Sequence, residues 1–234
     1  MKTVGIIGGS GFIGSHNTKI FLAHGFNVKY SVTDINRKEK YEHLKEFGYA
    51  ENLQICELDV TGKNSSQDFV SGCAIIVHGG TPFQLDVKDP QSELLYPTIR
   101  GTENFLDVVQ HTPGIEKVVS IASVAAYNTN LPLLPGGKSA GDTIDETDVF
   151  FISEQSHPDA QAKFTANQTV NTFIADNVNS GVEITSVSPV GVWENRYRAG
   201  KTPPQRVCNF SLKIKLPQIH FYKCFMTWMY YGHW

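Results

Sequence analysis

Long apolar runs are missing from this 234-residue chain; none approaches the roughly 20 residues that a membrane-spanning helix needs. An excess of either charge is missing too. With 20 Lys and Arg against 23 Asp and Glu, the formal charge is −3, which gives no basis for nucleic acid or an anionic membrane as partner. Cysteine is scarce, and Cys56, Cys73, Cys208 and Cys224 show no metal-ligand spacing, so they read as reduced thiols in the cytosol. The first residues form no leader with a cleavage site, and no signal peptide is expected. What remains is ordinary: 41% apolar and 18% charged residues describe a folded chain whose length suits one α/β domain.

Against these absences stands one dense stretch close to the first residue. Val4, Ile6 and Ile7 read as a buried parallel strand, and Gly8, Gly11 and Gly14 follow at a spacing of three. The chain then becomes amphipathic through Ile20, Phe21 and Leu22. A strand that passes to a helix through such a loop aims backbone N–H groups and the positive end of the helix dipole into one gap, which suits a pyrophosphate. A glycine-rich turn without a ligand is the plainer alternative; the strand, the helix and their order favour a dinucleotide.

Further along, residues 26–32 alternate as a second strand ending at Thr33 and Asp34. Residues 36–47 are charged, and Tyr41, Leu44 and Phe47 suggest a helix. Residues 53–58 form a third strand before Asp59, residues 66–70 a short helix, and residues 74–78 a fourth strand stopping at Gly79 and Gly80. A long helix is expected over 93–109, a fifth strand over 117–121, a helix over 160–177 and a sixth strand over 183–187. Strands alternating with helices at this spacing predict a parallel, doubly wound sheet of the Rossmann type. Ligands of such sheets sit at the carboxyl ends of the strands. The lining is therefore expected from residues 8–14, Thr33, Asp34, Asp59, residues 78–81, Ser123 and residues 188–190.

The chain resembles the extended short-chain dehydrogenase/reductases of the NAD-dependent epimerase/dehydratase type, in particular dihydroflavonol reductase-like and fungal ketoreductase-like members. The resemblance covers residues 3 to about 192 and rests on GGSGFIGSH at 8–16, GCAIIVHGGTPF at 72–83, KDPQSELLYPTIRGTENFL at 88–106 and AKFTANQTV at 162–170. It implies a reductase that moves a hydride to or from the carbonyl or alcohol carbon of a small molecule, using NADP or NAD. It implies cofactor contacts from Gly8, Ser10, Gly11, Phe12, Ile13 and Gly14, from Asp34 and Arg37, and from Asp59 and Val60. Gly79, Gly80 and Thr81, and then Lys163, Pro189 and Val192, complete the implied set. Asp34 suits the ribose hydroxyls of NAD, whereas Arg37 and Lys38 suit a 2′-phosphate; the resemblance favours NADP.

Members of that family use a Ser or Thr, a Lys, and a Tyr four residues before the Lys. Ser123 falls where the hydroxyl belongs and can steady an oxyanion, although a serine there can also simply cap the strand end. Lys163 takes the lysine's place, where it would grip the nicotinamide ribose. The tyrosine's place is held by Asp159. An ionised carboxylate has no proton to give at neutral pH, so Asp159 serves as the acid only if burial raises its pKa against the pull of Lys163. Two readings follow: a working reductase, or a dinucleotide-binding pseudoenzyme or redox sensor without turnover.

From Trp193 the periodicity stops and aromatics crowd together at Tyr222, Phe225, Trp228, Tyr230, Tyr231 and Trp234. Reading each codon's last base with the first two of the next restores a family-like sequence. Forced codons then give Asp across Met226 and Thr227, Asp across Trp228 and Met229, and Val across Met229 and Tyr230. Residues 1–192 are thus expected to form the nucleotide-binding domain. Residues 193–234 are expected to be a poorly ordered, out-of-frame tail that leaves the substrate lobe truncated.

Overall fold

The computed structural model describes residues 1–79, 88–127, 142, 152–153, 155–178 and 180–189. Its frame is a six-stranded sheet of β1 (Thr3–Ile7), β2 (Asn27–Val32), β3 (Leu53–Glu57), β4 (Ile75–His78), β5 (Lys117–Ile121) and β6 (Glu183–Val187). Every pairing is parallel and the spatial order is β3-β2-β1-β4-β5-β6. The chain starts in the middle, winds outward through β2 and β3, then returns to the far side of β1 as β4. The strand order therefore reverses between β1 and β4, where open α/β sheets form their ligand crevice.

Burial on both faces explains why the central strands are continuous apolar runs. Ile7, Ile76 and Val118 face α2 (Lys63–Val70) and α3 (Tyr96–His111), where Phe69, Val70, Phe105, Leu106 and Val109 meet them. Val4, Ile6, Val28 and Tyr30 form the second core layer with Phe21 and Leu22 of α1 (Phe12–Ala23). The fourth helix, α4 (Pro158–Asp176), packs beside α3.

The structure bears out the six strands and corrects two helices. Residues 36–47 hold two 3-10 segments, Lys38–Lys40 and Glu42–Glu46, and no α-helix. Tyr41, Leu44 and Phe47 recur every third residue, which is the 3-10 period. Positions 45 and 48, which an α-helical face would also bury, hold Lys45 and Gly48. Tyr41 and Leu44 are buried, and the Tyr41 hydroxyl donates to the Ile35 carbonyl at 2.7 Å. The long helix also starts later than expected. Gln91–Leu95 is a π-turn, with the Tyr96 N–H reaching the Gln91 carbonyl, and α3 begins at Tyr96. Pro97 has no N–H to offer the Glu93 carbonyl, so the regular ladder cannot extend upstream through it.

Candidate nucleotide-binding and active site

The glycine loop is fixed by backbone geometry. Gly8 has φ +78°, a left-handed conformation that other residues adopt with strain. Its N–H donates to Ser31 Oγ at 2.9 Å, which ties the loop to β2. A Cβ on Gly14 would lie 2.1 Å from the Gly8 carbonyl oxygen, so α1 can approach the loop only with glycine there. Gly11 caps α1 with no side-chain bond, and the helix has no acidic residue in its first turn. The N–H groups of Phe12, Ile13 and Gly14 lack carbonyls one turn back and stand at the positive end of the dipole.

A cavity of about 330 Å³ opens on this loop. Ile7, Gly8, Ser10 and Gly11 form one wall; Ser31, Val32, Thr33 and Lys40 form the β2 side; Leu58 and Val60 close it beyond β3. Of these, Gly8, Ser10, Gly11, Thr33 and Val60 are expected from sequence, whereas Ser31 and Lys40 are brought in by the fold. Arg37, the basic residue favoured from sequence, directs Nε to Glu39 Oε1 at 3.2 Å and does not line the cavity. Asp34 turns its carboxylate to the Asn36 N–H at 2.8 Å, and Asp59 accepts from the Thr61 N–H and hydroxyl at 2.9 and 2.7 Å. Both carboxylates therefore shape the turns after β2 and β3. A larger open groove of about 500 Å³ lies between α3 and α4 and takes in none of the strand ends.

Across the switch point, the Gly79 N–H donates to the Ile7 carbonyl at 3.1 Å, joining the ends of β4 and β1. His78, expected in the lining, is instead 5% exposed and lies against Phe105 with ring centroids 4.4 Å apart. Burial, helped by the charge on Lys163 and opposed by a hydrogen bond to its own backbone, pulls its pKa down to about 4. The imidazole is therefore neutral near pH 7. Gly80, Thr81 and Val192 lie outside the described residues, as does the stretch 193–234.

The groups implied for the chemistry meet around α4. Ser123 follows β5, and its Oγ accepts the Ala125 N–H at 3.2 Å, capping the 3-10 turn Val124–Ala126. That bond uses a lone pair and leaves the hydroxyl proton to donate elsewhere. The turn is tied to β6 by the Val124 N–H on the Pro189 carbonyl at 3.1 Å, and α4 packs against it. Pro158 opens α4, and His157 caps it, Nδ1 accepting the Asp159 N–H at 3.2 Å. Asp159 and Lys163 stand one turn apart on the helix. Asp159 Oδ1 is buried without a hydrogen-bond partner among the described residues. Burial pushes the Asp159 carboxyl up against the opposing pull of Lys163 and His157. Burial lowers the Lys163 ammonium, and Asp159 partly restores it. Of the two effects weighed from sequence, desolvation of Asp159 outweighs its attraction to Lys163.

A switch-point crevice, a glycine loop without side-chain caps and a cavity along β2 define a dinucleotide-binding domain. The profile of the NAD dependent epimerase/dehydratase family matches residues 4–224, and the chain belongs to that family. The match runs past residue 192, where composition places the end of the domain. A cinnamoyl-CoA reductase of Medicago truncatula is 30% identical over 196 residues, covering 82% of this chain and 58% of the relative. A bifunctional dihydroflavonol 4-reductase/flavanone 4-reductase of Malus domestica is 32% identical over 128 residues, 54% of this chain and 37% of the relative. Among solved structures, Gre2 of Candida albicans in complex with NADPH matches with a TM-score of 0.66 and 27% identity, over 81% of this chain and 58% of that one. The chain thus spans 58% of the length of the cinnamoyl-CoA reductase and of Gre2, and 37% of that of the Malus domestica reductase.

Proposed function

We propose that the chain is the nucleotide-binding part of an NADPH-dependent oxidoreductase that reduces a small-molecule carbonyl, or oxidises the corresponding alcohol. The observation that carries this reading is the cavity bounded by the Gly8–Gly14 loop, Ser31 and Lys40, within a chain of this family. The fit to a dinucleotide rests on two features: the uncapped α1 terminus beside Ser10 and Gly11, and the Gly14 contact that a Cβ would block. Lys40 brings a cation to the β2 side of the cavity, which would favour NADP over NAD; Arg37, held by Glu39, would contribute less. The matched reductases and the NADPH complex of the structural neighbour point the same way.

When bound, reduced nicotinamide supplies a hydride to the carbonyl carbon. This chain's own residues serve the oxygen. Ser123 donates its free hydroxyl proton in a hydrogen bond, stabilising the developing oxyanion. Lys163 adds a positive field from α4. Burial raises the Asp159 carboxyl toward the protonated form that passing a proton to the alkoxide requires, which assigns it the family tyrosine's role in this reading. Asp159, Lys163, Ser123 and the cofactor contacts named from sequence, including Gly80, Thr81 and Val192, enter this reading as assigned roles. The free thiols Cys56 and Cys73 suit a reducing, cytosolic setting.

A second reading, nucleotide binding without turnover, draws on Asp159 standing where the family's tyrosine is implied. Deuteride transfer from 4-deuterated NADPH to a panel of small aldehydes and ketones, followed by mass spectrometry, separates the two. Labelled alcohol formed by the wild type and lost in Lys163→Met supports the reductase; binding with no label in product supports the second reading.

A further inference from the structure

One layer of the core is polar where its neighbours are apolar. Register aligns His78 of β4 with Ser120 of β5, and Ser120 with Ser186 of β6, so these side chains share one face and one level of the sheet. Phe105 of α3 covers the His78 end. Asn167 of α4 covers the other end: the Ser186 hydroxyl and Asn167 Oδ1 lie 3.4 Å apart. Asn167 is only 3% exposed, and its Nδ2 has no partner among the described residues. An orphaned buried amide is costly and is retained where it has a use. On α4, Asp159, Lys163 and Asn167 fall at intervals of four and form one stripe.

Amide oxygen and nitrogen exchange places by a half-turn of the side chain. In the turned form, Nδ2 donates to Ser186 Oγ, and Oδ1 becomes the free acceptor one helical turn beyond Lys163. We propose that Asn167, seated on Ser186, is a positioning residue for Lys163, accepting one hydrogen of its ammonium and holding it at the carboxyl ends of the strands. The inference rests on the reductase reading only for its purpose; the contact itself needs no cofactor. A neutral acceptor suits the task, because a carboxylate there would bind the ammonium as an ion pair and draw it from the site. His78 completes the floor as a neutral ring under the same charge.

The titratable and charged groups on the elements packed against α4 are Glu93 of the π-turn, Tyr96, Arg100, Glu103, Asp107 and His111 of α3, and Tyr127 after the 124–126 turn. With His78 below, and with Asp159 and the capping His157 at the start of α4 itself, they are the background against which Lys163 titrates.

Competitive acetylation with acetic anhydride across a pH series, read on the Lys163 peptide by mass spectrometry, reports when this ammonium loses its proton. Loss of the acceptor in Asn167→Leu should lower the midpoint, raising Lys163 labelling at fixed pH by about tenfold, one pKa unit. Ser186→Ala should act in the same direction by less, and Asn167→Asp should raise the midpoint. Thermal melts at each pH show that the variants are folded, so that a shifted midpoint reports the lost contact and not unfolding. Unchanged midpoints in Asn167→Leu and Ser186→Ala with both proteins folded overturn the proposal. NADPH titration of the wild type runs alongside; a failure to bind would count against the functional reading and leave the Lys163 midpoint to judge this one.

Discussion

The two sides of the switch point solve opposite problems. Around β1, α1 and β2, the loop is built from backbone: Gly8 bonded to Ser31, Gly14 against the Gly8 carbonyl, and aliphatic cavity walls from Leu58 and Val60. Around β4, β5, β6 and α4, polar side chains are buried, and Asp159, Asn167 and Ser188 each keep an unpartnered atom among the described residues. The first region is stiff and can be specified by glycine; the second carries a desolvation cost that function can exploit.

The largest expected effect falls on the backbone side. Gly14→Ala drives a methyl into the Gly8 carbonyl and Gly9 Cα, so either the protein does not fold or the loop opens. A loss of about 3 kcal/mol or more is expected in denaturant unfolding. Gly11→Ala, whose Cβ would meet only the Gly8 carbonyl at 3.3 Å, should stay folded and show its effect in nucleotide binding. Equal unfolding curves for the two variants would break the contrast.

The buried side is exposed by acid. The pKa of His78, lowered from 6.5 to about 4, lies below its unfolded value, so its contribution to stability is complete above about pH 6.5. That contribution is lost as pH falls toward 4, because the unfolded chain takes up the proton first. The loss is of the order of a few kcal/mol, and chemical unfolding at pH 7 and pH 4.5 should show it. His78→Gln should flatten this part of the pH dependence.

Lys40→Ala should weaken NADPH binding by about tenfold with little change for NADH, as removal of one phosphate-facing cation implies. Arg37→Ala should have the smaller effect; the reverse order would restore the residue favoured from sequence. Smallest is Asp159→Asn. A raised carboxyl pKa means that the folded state disfavours the charge above the unfolded pKa, so the variant should be slightly more stable at pH 7, and the gain should shrink in acid.

Legibility in the sequence follows the same division. The strands were readable because each is a short apolar run, and the loop because its glycines are local. The 3-10 path over residues 36–47 was hidden, since Tyr41 and Leu44 satisfy helical spacing until Lys45 and Gly48 are weighed. That path decides that Lys40, and not Arg37, reaches the cavity. Ser31 and the layer of His78, Ser186 and Asn167 depend on strand register and helix docking, which one-dimensional spacing does not carry. Asp159 was visible as a departure from the family pattern. Its protonation balance needed the burial that only the folded chain supplies.

The Gly8–Gly14 loop and Lys40 are expected to bind a phosphorylated dinucleotide. Titration of the folded 234-residue chain with NADPH, followed by fluorescence energy transfer to the reduced nicotinamide, is the direct test. Saturable binding is expected, which 2′,5′-ADP competes away and which Gly11→Ala and Lys40→Ala each weaken. Absence of binding at millimolar NADPH and NADH in a sample shown to be folded would contradict it.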